Sequence, residues 1–195
     1  MRTLINLILL VIIGGLIYLL VNSITEPIKF KAERQKRESA VVDKLIQIRT
    51  LQEAYRTIKG EFSRSFNDLN FVLLNDSFRI IQVFGDPDDP ENTDAIVYDT
   101  IYQPARDSVL NLGINLDSIK YVPFSQKDTF EMFADTITYQ QTKVPVIEVR
   151  VQRKKFMGEV YGNPRFSKYD DSYDPSSYLK FGDMSAPNTA GNWER

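Results

Sequence analysis

The chain has 195 residues, 43% of them in the AVILMFWYC set, 26% charged and 12% aromatic, with neither histidine nor cysteine. That composition excludes a disordered polymer, and it removes thiol nucleophiles, histidine bases, Cys/His zinc sites, thiolate-held clusters and disulfides. The net charge of −2 hides an asymmetry: residues 1–60 carry ten Lys/Arg against five Asp/Glu, whereas residues 61–195 carry 14 against 21.

Residues 4–21 hold 15 apolar side chains in 18 positions and no charge. As a helix they would span ~27 Å, close to the hydrocarbon thickness of a bilayer. The run is longer than the apolar region of a signal peptide, and Val21-Asn22-Ser23 is a poor cleavage site, so an uncleaved anchor is expected. Thr25-Glu26-Pro27 follows and reads as a break, with Pro27 at the first position of a second helix. From Phe30 to Lys59 there is neither Pro nor Gly, and Val41, Leu45, Ile48, Leu51, Tyr55 and Ile58 recur at spacings of three and four. These six predict one apolar stripe, with Gly60 as the stop. Residues 31–38 lack such a stripe and read as a solvated spacer or as a partner-binding face formed by Lys31, Glu33, Arg34, Arg37 and Glu38.

Beyond Gly60 the period changes. A short helix capped around Phe66-Asn67-Asp68 is expected through Leu74, then strands over 79–84 and 95–102 flanking an acidic loop at 86–94. One helical turn is expected at 107–112 and a short strand at 118–122. The clearest hairpin pairs 129–139 with 144–151 through residues 140–143; Ile147, Val149 and Val151 alternate with Glu148 and Arg150, as on a half-buried sheet, and Pro145 suggests an edge. Arg150, Arg153, Lys154 and Lys155 read as a basic strand end. The tyrosines at 161, 169, 173 and 178 stand among Asp, Ser and Pro, a strand is expected over 178–184, and 185–195 reads as a tail.

The expected architecture is α+β: an N-terminal transmembrane helix continuing into a long amphipathic helix packed on a small antiparallel sheet. The segments are an anchor (1–26), a stalk and amphipathic helix (27–60), an α+β domain completed by the distal helix (61–184) and a C-terminal tail (185–195). No phosphate loop or nucleophile elbow occurs, and 86–94 lacks the glycine and terminal glutamate of a calcium loop. No catalytic, metal or cofactor site is expected, unless Asp170, Asp171 and Asp174 converge in a cleft. The acidic excess of residues 61–195 opposes nucleic-acid binding.

Leu51-Gln52-Glu53-Ala54-Tyr55, Lys59-Gly60-Glu61-Phe62 and Ser65-Phe66-Asn67-Asp68-Leu69, placed after a membrane span, resemble type IV pilins and type II secretion pseudopilins, as does Gly191-Asn192-Trp193. The sequence departs from those families in its first acid, Glu26, which follows the span, and in Pro187-Asn188-Thr189-Ala190, where pseudopilins carry calcium-binding aspartates. Lys44 to Arg49 (KLIQIR), Tyr121-Val122-Pro123-Phe124, Lys143-Val144-Pro145-Val146 and Gly182-Asp183-Met184 resemble a family of membrane-anchored bacterial envelope proteins without an assigned activity. These resemblances imply a non-catalytic, single-pass structural or assembly subunit in the bacterial inner membrane, with the membrane, other membrane-anchored proteins and copies of itself as partners. The basic residues following the span favour a cytoplasmic domain by the positive-inside rule, whereas the resemblance implies an extracytoplasmic one, which is the expectation adopted. The alternative is a membrane-tethered module that binds a soluble ligand through its sheet and tyrosine-rich C-terminal region.

Overall fold

The computed structural model describes residues 2–84 and 97–194; the expected acidic loop at 86–94 and the first residues of the expected 95–102 strand lie outside them. One helix, α1 (Arg2–Lys59), runs for 58 residues. Its first part is long and apolar enough to cross a membrane, and residues 4–21 pack against nothing among the described residues. The expected break at Pro27 does not occur. Proline deprives the Ser23 carbonyl of its helical donor, but Ser23 is exposed, so this carbonyl is not stranded in a dry core. A cost of ~3 kcal/mol is outweighed when the helix is fixed on both sides of the proline.

The distal stripe forms as expected. Val41, Leu45, Ile48, Leu51 and Tyr55 are buried, and Ile58 packs on the edge of the same cluster. Gly60 ends the helix at φ +80°, with its N–H donating to Arg56 at 2.8 Å, a left-handed cap that a side chain would strain. The following turn is held by the buried Gln52. Its amide donates to the Ser63 carbonyl at 3.2 Å and accepts from the Ser63 N–H at 3.0 Å, so both backbone groups are satisfied away from water. Helix α2 (Phe66–Asn75) starts one residue earlier than the sequence suggests, because Ser65 is the cap and accepts from the Asp68 N–H. The Asp68 carboxylate is thereby left to accept from Tyr55 (2.6 Å) and Ser63 (3.0 Å).

Strands β1 (Ser77–Phe84) and β2 (Val97–Pro104) form a separate two-stranded antiparallel ladder, followed by α3 (Ala105–Asn111). The strand expected at 118–122 is absent: Asn115 accepts from the backbone N–H groups of Asp117 and Ser118 and curls the chain into turns. Pro123 bounds the segment on its other side, so only a single bridge, Tyr121 with Thr129, remains of it.

The main sheet contains β3 (Glu131–Tyr139), β4 (Thr142–Gln152) and β5 (Tyr178–Gly182) in the order β3-β4-β5, all antiparallel. Gln140 and Gln141 both take positive φ, giving the two-residue turn that suits a hairpin's twist, tighter than the expected four-residue link. Pro145 lies on the central strand and not on an edge strand. The expectation fails for a local reason: β5 pairs only with residues 148–152, so at Pro145 the strand has a neighbour on one side alone. Ile147, Val149 and Val151 face α1 and are buried, as their alternation requires.

Of the expected tail at 185–195, residues 185–194 are described, and they do not hang free. The Gly182 N–H donates to Ala190, the Asn192 N–H donates to Lys180, and Arg49 on α1 donates to the Thr189 carbonyl and to Glu194. After β4 comes a helix the sequence did not announce, α4 (Arg153–Tyr161), then a 3-10 helix at Pro164–Tyr169. Arg153, Lys154 and Lys155, expected as a strand end, are the first turn of α4.

Candidate functional site

The five residues singled out on the proximal helix lie where α4, the 3-10 helix and the turn at Asp170 close on α1. The segment 31–38 is therefore not a solvated spacer, because the domain grips the helix from Glu26 upward. Arg34 donates to Asp170 (2.6 Å), to Glu38 (3.1 Å) and to the Ser172 hydroxyl (3.2 Å). The Glu38 carboxylate also accepts from Arg153 at 2.9 Å, so a single carboxylate joins the helix to the start of α4. Arg37 donates through Nε to Glu33 one turn back (2.7 Å) and through Nη1 to the carbonyls of Phe156 (2.9 Å) and Met157 (3.1 Å). Lys31 alone of the five is exposed and has no carboxylate partner among the described residues.

Beneath these ion pairs sits an aromatic plug. Phe30 is fully buried, stacked on Phe166 with centroids 4.9 Å apart and edge-on to Tyr173, also at 4.9 Å. Tyr161 and Tyr169 flank it at 6.1 and 6.4 Å. Three of the four late tyrosines thus pack on the helix, and Tyr173 seals the plug by donating from its hydroxyl to the Tyr161 carbonyl at 2.7 Å. One turn below, Glu26 accepts from Arg165 at 3.1 Å and from the Tyr169 hydroxyl.

Magnitudes rank these contributions. Burying Phe30 is worth ~1.5–3 kcal/mol, and each favourable aromatic contact adds about 0.5–1.5 kcal/mol. A solvent-touched ion pair contributes ~0–1 kcal/mol, although the Arg34 side chain retains only 13% of its exposure. The plug holds the clasp shut, and the ion pairs fix its register. Protonation behaviour follows the same geometry. Ser172's hydroxyl and N–H, with Arg34 beside them, hold the Asp170 carboxyl below the usual carboxylate range. Burial, reinforced by the Glu38 charge, pushes the Tyr173 phenol up to about 12.

Asp170, Asp171 and Asp174 do not converge. Asp170 is held by Arg34 and Ser172, Asp174 accepts from Ser176 in its own turn, and only Asp170 lines the shallow depression of about 310 Å³ beside Lys31 and Gln35. A wider groove of about 630 Å³ runs between Phe124 and α4, where Lys154, Lys155, Asp128 and Glu159 alternate in sign. No group of three or more metal-ligating side chains occurs among the described residues.

On the outer face of the main sheet, Lys155, Glu131, Arg150, Glu148 and Lys180 form a chain of alternating charges with contacts of 2.5–3.2 Å. Arg150 lies between the rings of Phe133 and Tyr178, and Glu148 is buried under these neighbours instead of facing water as its place in the alternation suggests. The β1–β2 ladder is the opposite case. Ile81, Val83, Tyr98 and Tyr102 share one face and are all exposed, Tyr98 and Tyr102 by about two thirds.

Phe30 and Phe166 belong to the clasp without having been singled out from sequence, and Arg153 and Asp170 belong to it in roles other than the strand end and carboxylate cluster expected of them. A signal was present: Phe30, Arg34, Arg37 and Val41 continue the three-and-four spacing of the apolar stripe toward the membrane. Comparison with protein-family models, curated proteins and solved structures gave no match.

Proposed function

We propose that this chain is a single-pass, membrane-anchored structural or assembly subunit of a bacterial envelope complex, pilin- or pseudopilin-like in design and non-catalytic, with its domain outside the cytoplasm. The observation that carries the reading is the clasp. A helix that is both anchor and core, gripped by its domain from Glu26 to Tyr55, holds that domain at a fixed height above the bilayer. Such rigidity suits a subunit that must meet identical neighbours in register.

The partners are other membrane-anchored chains, first of all further copies of this one. Four of the five residues expected to form the partner face are engaged within the domain, which favours the β1–β2 ladder as the contact surface. A two-stranded ladder is marginal in water, and its apolar outer face and open edges suit pairing. Copies anchored in one bilayer present that ladder at one height, and confinement raises their effective concentration. The rival reading, ligand recognition by the tyrosine-rich C-terminal region, is less well supported because Tyr161, Tyr169 and Tyr173 point into the plug.

Because the chain has no cysteine, a single introduced thiol reports unambiguously. Ile81→Cys or Tyr98→Cys in intact membranes should give a homodimeric adduct, or an adduct with one other membrane protein. Lys31→Cys and Ser172→Cys should give far less. Adducts arising only from Ser172→Cys would favour the ligand-binding rival, and none from the ladder would refute the assembly role.

A further inference from the structure

The clasp places part of the domain where lipid headgroups must be. The uncharged apolar run ends at Val21, and Glu26 stands five residues further on, a rise of ~7.5 Å. The headgroup layer on each side of a bilayer is about 5–7.5 Å deep. Arg165, bonded to Glu26 at 3.1 Å, and the 3-10 helix Pro164–Tyr169 that carries it therefore lie at the outer boundary of that layer.

The charges at this level are mostly uncompensated and positive. Arg165 is exposed and shares the Glu26 carboxylate with Tyr169. Lys168 is exposed, with Nζ 4.6 Å from the Tyr169 ring centroid, and has no carboxylate partner among the described residues. Lys29 is exposed and likewise unpaired among them, lying about 60° round the helix from Glu26 at 100° per residue. Against these stand Glu26, already engaged, Asp170, held by Arg34, and the exposed Asp171. Ile24 and Ile28, both exposed, occupy the opposite face of α1 at the same depth, where nothing among the described residues covers them.

We infer that Lys29, Arg165 and Lys168 form an anionic-phospholipid headgroup site at the foot of the domain, so that the domain rests on the bilayer as well as being threaded through it. The inference depends on residues 4–21 spanning the membrane. It goes beyond the assembly reading by assigning a ligand, the phosphate of an acidic lipid of the same bilayer, to side chains that assembly does not use.

The full chain would be reconstituted into nanodiscs of phosphatidylcholine with or without phosphatidylglycerol. Single cysteines at Leu10 and at Asn163 would carry an environment-sensitive fluorophore, and brominated phosphatidylglycerol or phosphatidylcholine would serve as quencher. The expected result is a deeply buried label at 10 and a headgroup-level label at 163. The label at 163 should be quenched preferentially by the acidic lipid, and the preference should fall roughly fivefold for each of Lys29→Gln and Lys168→Gln. Lys143→Gln, at the remote β3–β4 turn, should leave the preference unchanged. A buried label at 10 with a water-exposed label at 163, equal quenching by both lipids, or a preference unchanged in the Lys variants would overturn the headgroup site while leaving the anchor intact. A water-exposed label at 10 would instead overturn the membrane span, and the site with it.

Discussion

Gly158 and Arg37 face each other across the clasp: a Cβ built on Gly158 would stand 3.4 Å from Arg37 Nη1. That distance is an ordinary contact, so crowding does not explain the glycine. Its backbone does, because φ +71°, ψ −179° belongs to a region that only glycine occupies readily. Gly158 kinks α4 there, next to the Phe156 and Met157 carbonyls that accept from the Arg37 guanidinium. Gly158→Ala is expected to destabilise the domain by ~1–3 kcal/mol. Thermal melting of the purified chain checks this, and a melting temperature equal to that of the unaltered chain would show that the break is not needed.

The aromatic plug sets a second expectation. Phe30→Ala leaves a cavity between Phe166 and Tyr173, and truncations of this kind cost ~3–5 kcal/mol in well-packed cores. The loss should be local first. Amide exchange in residues 153–175 is expected to accelerate more than in β4, where Val149 and Val151 pack on the untouched distal stripe. Uniform acceleration would mean that foot and sheet unfold as one unit.

The legible part of this fold was the part built from pure apolar spacing. Val41 to Ile58 and the Ile147-Val149-Val151 alternation could be read directly, because each buried position carries an aliphatic or aromatic side chain. The proximal helix was illegible for the complementary reason. At Arg34 and Arg37 the core-facing positions are filled by side chains whose aliphatic stems cover apolar surface while their charged ends reach backbone carbonyls and carboxylates, so a polar letter conceals a packed position. Asp170 and Arg153 stand more than a hundred residues from their helix partners, and no local pattern announces such pairs. Pro27 misled in another way, since its usual meaning as a helix start yielded to a helix held on both sides.

Acid should loosen the clasp. Because the Asp170 carboxyl titrates lower in the folded chain than in the unfolded one, its contribution is complete above the unfolded value of about 4 and disappears as pH falls through the folded value. Glu131, Asp174, Asp183 and Glu194 are shifted in the same direction. Melting temperature is expected to be level from pH 8 to 5 and to drop below about pH 4. Asp170→Asn should melt lower at pH 7, with a deficit that narrows toward pH 3. Tyr173 gives the opposite sign. A phenol raised to about 12 stabilises the fold below its ordinary value of about 10 and ceases to do so as pH rises from there through 12. Tyr173→Phe should therefore blunt the alkaline loss, and an unchanged alkaline limb would point to another group.

The β1–β2 ladder allows a test of assembly that needs no crosslinker. Among the described residues each of its strands pairs only with the other, whereas β4 has neighbours on both sides over residues 148–152. Backbone hydrogen bonds in an isolated ladder open by small local fluctuations, while those of β4 open only when the core against α1 is breached. In dilute detergent, amides of residues 77–83 and 98–103 are expected to exchange well ahead of those of residues 147–151. If neighbouring subunits cover Ile81, Val83, Tyr98 and Tyr102, the same amides should slow at least tenfold in native membranes, where the chain is concentrated in two dimensions, while β4 changes little. Hydrogen exchange read by mass spectrometry on both samples makes the comparison. Equal exchange of the ladder in detergent and in membranes would remove it as the assembly surface.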